Sequence, residues 1–101
     1  MLLETKLILL GAYLTHGTAT DGTQRDGFYK EVALRNAITR RLAAEFGVEF
    51  LDLQKLFDEA CEMLPPEHWT QDGVHPTAAG HRLIANAWEK KMQPTLMTAE
   101  K

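Results

Sequence analysis

Serine is absent from these 101 residues. The chain is therefore not a serine hydrolase complete in itself. Cysteine is almost as scarce. The lone Cys61 excludes an internal disulfide framework and any multi-cysteine zinc site. No apolar run approaches the roughly 20 residues that a membrane-spanning helix needs. Basic charge is in short supply too, with 11 lysines and arginines against 14 acids and a net charge of −3. Such a balance argues against nucleic acid or an anionic membrane surface as the main partner, because both reward a concentrated positive field. Internal repeats, low-complexity tracts and long charge blocks are also missing.

Hydrophobic residues make up 45% of the chain and charged ones 25%, the balance of a globular domain. A chain of this length hides only about 60–65% of its unfolded surface, so its core is marginal unless another segment or a partner covers it. The start, Met1 to Lys6 followed by Leu7–Leu10, superficially resembles a signal peptide. The apolar run is brief, however, and Glu4 precedes it. With no convincing signal peptide, the cytoplasm is favoured and the compartment stays open.

Lys6–Tyr13 is a continuous apolar run that fits a strand buried on both faces. The Thr-, Gly- and Asp-rich stretch from Leu14 to Asp26 reads as a loop. A helix is expected from about Asp26 to Phe46. Leu34, Ile38, Leu42 and Phe46 form its core-facing stripe, with Phe28 and Val32 beside it, and Gly47 supplies the stop. Val48–Leu53 reads as a second strand. Leu53, Leu56, Phe57, Ala60, Cys61 and Leu64 then follow at helical spacing until Pro65-Pro66. Glu67–Val74 reads as a polar loop. Pro76 suits the first turn of a last helix that runs to about Met92 and buries Ala79, Leu83, Ile84, Ala87 and Trp88. The order strand, helix, strand, helix, helix predicts an α/β chain built on a parallel βαβ unit.

The chemistry concentrates in Asp72-Gly73-Val74-His75-Pro76, with Gly80 four residues beyond. A carboxylate three residues before an imidazole, at a loop that turns into a helix, can accept a hydrogen bond from the near ring nitrogen. It then fixes the tautomer and leaves the far nitrogen free as a general base. The same spacing also suits two ordinary polar residues at a helix N-terminus. Spacing alone leaves both readings open.

The wider run from His68 to Ala85, with Phe57-Asp58-Glu59-Ala60 before it, resembles the C-terminal block of the SGNH (GDSL-type) hydrolases. It looks most like the small esterases that deacetylate carbohydrates, and the likeness extends back through Val48–Leu53 to Lys6–Tyr13. The resemblance implies a partial three-layer α/β/α, flavodoxin-like fold. Residues 1–93 would be the C-terminal portion of the domain and 94–101 a frayed tail. It also implies that His75 is the base and Asp72 its orienting partner in a Ser-His-Asp triad, with no cofactor. The substrate would be a small acyl ester, plausibly of an acetylated carbohydrate.

The family's Gly-Asp-Ser and Gly-x-Asn-Asp blocks have no counterpart here. The only asparagines are Asn36 and Asn86, and neither precedes an Asp. A fragment, truncated gene or mis-called start is the simplest account, and the chain alone is expected to be inactive. No substitute nucleophile stands out. Thr15, Thr18, Thr20 and Thr23 read as loop residues bonding nearby backbone, and Cys61 as a small core residue.

His81 is expected on a helix surface, and His16 at the C-terminal edge of the first strand, where it reads first as a plain loop residue and second as one that could touch a substrate. Trp69 is the candidate for walling a substrate site, although packing beneath the loop is its blander role. Two further functions compete with the esterase reading. One is a non-catalytic interaction module using its open sheet edge. The other is a metal-dependent hydrolase using His68, Asp72 and His75. Exposed strand edges also predict self-association.

Overall fold

A computed structural model describes residues 7–22 and 24–99 of the protein, with side chains as far as Met92. Thr23, the signal-peptide-like segment before Leu7 and Lys6 at the predicted start of the first strand lie outside the described residues. The elements are β1 (Ile8–Leu10), α1 (Arg25–Phe46), β2 (Glu49–Leu51), α2 (Leu53–Met63), α3 (Pro66–Trp69) and α4 (Ala78–Ala99). The two strands pair in parallel, with Ile8 opposite Glu49, Leu9 opposite Phe50 and Leu10 opposite Leu51. The expected α/β chain with a parallel βαβ unit is what forms.

Local chemistry sets the boundaries. Gly47 takes a left-handed conformation (φ +67°) after α1, and its N–H reaches the carbonyls of Ala43 and Ala44. Asp52 caps α2 by accepting from the Lys55 N–H at 3.1 Å. The same carboxylate receives Arg40 from α1 at 2.6 Å, and the Arg40 guanidinium lies 4.7 Å from the centre of the Phe50 ring. This ties α1 to the end of β2.

β1 is shorter than the apolar run that predicts it. Past Leu10 the chain leaves the assigned strand, and its partners are mostly side chains. Gly11 N–H still donates to the Leu51 carbonyl at 2.9 Å. The Asn36 amide of α1 then takes both backbone groups of Ala12, at 2.8 and 2.9 Å, and the Gln54 amide of α2 takes both of Leu14, at 2.8 and 2.9 Å. A planar amide offers one donor and one acceptor, as a peptide group does, and so stands in for a neighbouring strand.

Three further expectations need correction. Pro66–Trp69 is a helical turn rather than loop, because Pro66 occupies its first position and sets φ for a helix start. The last helix begins at Ala78, not Pro76. Thr77 caps it, its hydroxyl accepting from the Gly80 N–H at 3.2 Å, while Pro76 bridges back to Thr70. That helix also continues past Pro94 to Ala99 instead of ending near Met92.

The core draws on α1, β2, α2 and α4, with Ala43, Leu51, Leu53, Phe57, Ala60 and Met92 all buried. Phe57 is completely enclosed and stacks on Tyr13, with centroids 4.2 Å apart and planes 12° from parallel. Burial of such a ring contributes roughly 1.5–3 kcal/mol. The predicted stripe of α1 is not part of this core. Phe28, Leu34, Ile38, Leu42 and Phe46 are exposed, Phe46 by 72%. The periodicity is present, but a sheet of two strands has too little surface to cover a helix of 22 residues. Trp88 on α4 is likewise exposed, while Leu83, Ile84 and Ala87 are half-buried. Among the described residues no helix is long and apolar enough to cross a membrane.

Candidate active site

The segment between α3 and α4 closes into a narrow loop. Gln71 N–H donates to the His75 carbonyl at 2.8 Å, and Thr77 N–H to the Trp69 carbonyl at 3.0 Å. Gly73 turns the chain at the tip with φ +106°, a conformation that residues bearing a Cβ rarely adopt. The turn lets Asp72 fold back over its own loop. Its Oδ1 accepts from the N–H groups of Val74 and His75, both at 2.9 Å, and its Oδ2 meets His75 Nδ1 at 2.7 Å.

These donors make Asp72 an unusually strong acid. The backbone N–H of Val74, then that of His75, then the imidazole hold its carboxyl at about 2. An ionised carboxylate can only accept, so His75 Nδ1 must be the protonated ring nitrogen. The Nε2 lone pair is then directed away from Asp72, on a side chain that is 72% exposed. The pair predicted from sequence is therefore formed in this geometry, with an oriented imidazole whose basic nitrogen is free for an external hydroxyl. That geometry is equally the N-terminal approach to α4, so the loop reading and the acid–base reading share one arrangement.

Supports that the sequence does not reveal surround the loop. The Tyr13 hydroxyl donates to the Val74 carbonyl at 3.1 Å. Burial, with the Asp72 charge adding to it, pushes the Tyr13 phenol up, so it stays a neutral donor. Thr15, Thr20 and Thr70 are buried beneath the tip. The expectation that the loop threonines serve only nearby backbone holds for Thr20, whose hydroxyl donates to the carbonyl of Thr15. It fails for Thr15, whose hydroxyl meets that of Thr70 at 2.7 Å across 55 positions of sequence. The visible sequence signal was only a cluster of Thr and Gly after a strand.

The remaining candidates fall elsewhere. Trp69 donates its indole N–H to the carbonyls of Ala60 (3.0 Å) and Leu64 (3.2 Å), which pins α3 to the end of α2. The cleft it lines, about 290 Å³, is bounded by His68, Ala79, Arg82, Leu83 and Asn86, and includes neither Asp72 nor His75. His68 stands edge-on to Trp69, with centroids 4.6 Å apart. Among the described residues no three His, Cys, Asp or Glu side chains converge as metal ligands would, so His68, Asp72 and His75 do not form the imagined metal site.

His16 pairs with Asp21 at 3.1 Å and tilts against Tyr29, beside a shallow cleft of about 380 Å³ that Arg25 and Lys30 also line. His81 is exposed on α4. Cys61 is half-buried, and burial, then Asp58 and Glu67, push its thiol up. A thiol so placed is a poor nucleophile.

Residues 3–83 match the GDSL-like Lipase/Acylhydrolase family. An acetylxylan esterase of Geobacillus stearothermophilus is 28% identical over 92 residues, covering 91% of this chain and 42% of that protein. The crystal structure of that bacterium's acetylxylan esterase superposes with a TM-score of 0.72 at 26% identity, over 90% of this chain and 42% of the other. An alpha/beta hydrolase enzyme from the Lake Arreo metagenome gives a TM-score of 0.70 at 28% identity, over 85% of this chain and 37% of the other.

Three further structures of the Geobacillus esterase are of catalytic mutants, in which a serine, an aspartate or a histidine is replaced by alanine. The chain spans about two fifths of the length of these relatives. With most of its length matched by the family and a fold shared with solved members, this chain belongs to the GDSL-like lipase/acylhydrolase family.

Proposed function

We propose that this chain supplies the base and its orienting acid to an esterase that hydrolyses small acyl esters, with O-acetylated carbohydrate as the substrate class. The observation that carries the proposal is the Asp72 Oδ2 to His75 Nδ1 contact of 2.7 Å together with the exposed far side of the ring. The substrate class rests on the acetylxylan esterase relative. The nucleophilic serine belongs to polypeptide outside these 101 residues.

In the proposed reaction His75 Nε2 takes the proton of that serine as its oxygen attacks the acyl carbonyl. Asp72 stabilises the imidazolium through Nδ1–H. The imidazolium then protonates the departing alcohol, and an acyl-serine is left. Water attacks the acyl carbon in the second half, giving its proton to Nε2. Collapse returns that proton to the serine and releases the carboxylic acid. Oxyanion donors would also come from outside the chain. The loss of even one such donor costs about 10²–10³ in rate, so the chain alone is expected to be silent.

The test is hydrolysis of p-nitrophenyl acetate by the chain alone and mixed with the serine-bearing N-terminal part of a related esterase. Activity is expected only in the mixture. His75→Ala should abolish it, and Asp72→Asn should lower kcat by about 10³–10⁴. Activity that appears in the mixture and survives His75→Ala would refute the assignment. A folded mixture that binds but does not hydrolyse would favour a non-catalytic interaction module.

A further inference from the structure

Three backbone groups at the Asp72–Gly73 turn are bonded from below. Gly73 N–H donates to the Thr70 hydroxyl at 3.0 Å, and the Gly73 carbonyl accepts from Thr15 N–H at 2.9 Å. The Asp72 carbonyl accepts from Ala19 N–H at 2.9 Å. The Thr70 hydroxyl in turn meets that of Thr15 at 2.7 Å, and Thr20 seals the floor by donating to the Thr15 carbonyl. The three threonines are 4%, 1% and 2% exposed in the order Thr15, Thr20, Thr70.

The packing leaves no slack either. A Cβ on Gly17 would lie 2.2 Å from the Asp72 carbonyl carbon, and one on Gly73 would lie 2.5 Å from the Thr20 hydroxyl oxygen. None of these contacts uses the Asp72 carboxylate or the His75 ring. A loop tip on a surface can satisfy its backbone with water. Here the buried Thr70 hydroxyl, with the N–H groups of Thr15 and Ala19, replaces the water, and a buried hydroxyl is costly unless its bonds are complete.

We propose that Thr70 and Thr15 are positioning residues: their paired hydroxyls clamp the Gly73 turn so that Asp72 is aimed at Nδ1 of His75. The claim deepens the esterase reading and rests on it for its consequence in catalysis. Its geometric part stands apart from activity. A turn free to rock would swing the Asp72 carboxylate off the ring. The imidazole would then lose the one contact that selects its Nδ1–H form, because that selection comes from the acceptor facing Nδ1. Thr70→Val keeps the shape of the side chain and removes the acceptor of Gly73 N–H. Thr15→Val removes only the hydroxyl pair.

The experiment is ¹⁵N NMR of the His75 ring in the full-length chain, at a pH where the ring is neutral, with folding followed by circular dichroism. The expected result is a predominant Nδ1–H tautomer in the parent and in Thr70→Ser. The Nδ1–H to Nε2–H ratio should drop at least about tenfold in Thr70→Val, with a smaller drop in Thr15→Val. An unchanged ratio in both folded valine variants overturns the proposal. Unfolding of both also overturns it, since the hydroxyls would then hold the fold rather than the turn. In the reconstituted mixture, kcat should fall with the tautomer ratio, by up to about 10², with KM little changed. A changed ratio in a mixture that never hydrolyses ester leaves the clamp standing and removes the esterase reading. An unchanged ratio in an active mixture does the reverse.

Discussion

Asp72 accepts three hydrogen bonds, and its ionisation is therefore linked to how well its loop is formed. The folded carboxyl titrates at about 2 against an ordinary value of 3.8. A depressed carboxyl contributes stability that is fully present above the ordinary value and lost as the pH falls through the folded one. The window here is thus about pH 4 down to pH 2. Thermal melts of the parent and of Asp72→Asn should differ by a constant margin above pH 4.5, and the margin should close towards pH 2. A margin independent of pH would separate the carboxylate from the loop's stability. The pairing of Asp72 with His75 was legible in the sequence because both groups lie within one four-residue turn. The part played by Thr15 was not, since its hydroxyl partner is 55 positions away and nothing local to either threonine marks it.

Helices and strands were legible as elements to the extent that their signals are local. Gly47 and the apolar run of β1 each act within a few residues. The turn of α3 was hidden because its polar composition outweighs the one residue, Pro66, that starts it. The stripe of α1 shows a different limit. Periodicity states which face is apolar and cannot state what covers it.

The close approach of α4 to α3 yields a prediction at this scale. A Cβ on Gly80 would lie 2.1 Å from the Trp69 backbone carbonyl oxygen, and neither partner is a side chain that could swing aside. Gly80→Ala should therefore cost about 1–3 kcal/mol. For a chain of this size that lowers Tm by at least ~5 °C. A melt within 1–2 °C of the parent (roughly the scatter of such scans, well below that shift) would show that the two helices are free to part.

The whole molecule exposes 7343 Å² and extends 50 × 27 × 20 Å. A folded monomer of its mass is expected to expose about 5,800 Å². Its radius of gyration, 15.4 Å, likewise exceeds the roughly 12.7 Å of a compact chain of this length. The excess area, on the order of 1,500 Å², is nearly twice what each partner buries in a standard interface, and much of the apolar part lies on α1. Sedimentation velocity should accordingly show concentration-dependent association. Replacing Leu34 and Leu42 together with Glu should weaken it, as should the serine-bearing partner segment. A monomer at all concentrations would mean that the stripe is tolerated in water.

The amide clamps of Asn36 and Gln54 bear on what kind of association this will be. Gly11 turns its N–H towards β2, so backbone alternation turns the polar groups of Ala12 the opposite way, towards the side where another strand would add. Asn36 already holds both of them. An incoming chain finds a template only a few residues long, too short to seed a cross-β ladder. The clamp thus acts as a stopper against fibrils while α1 stays open to reversible contacts. Asn36→Leu should remove the stopper, and thioflavin T binding that rises over days in that variant but not in the parent is the outcome to look for.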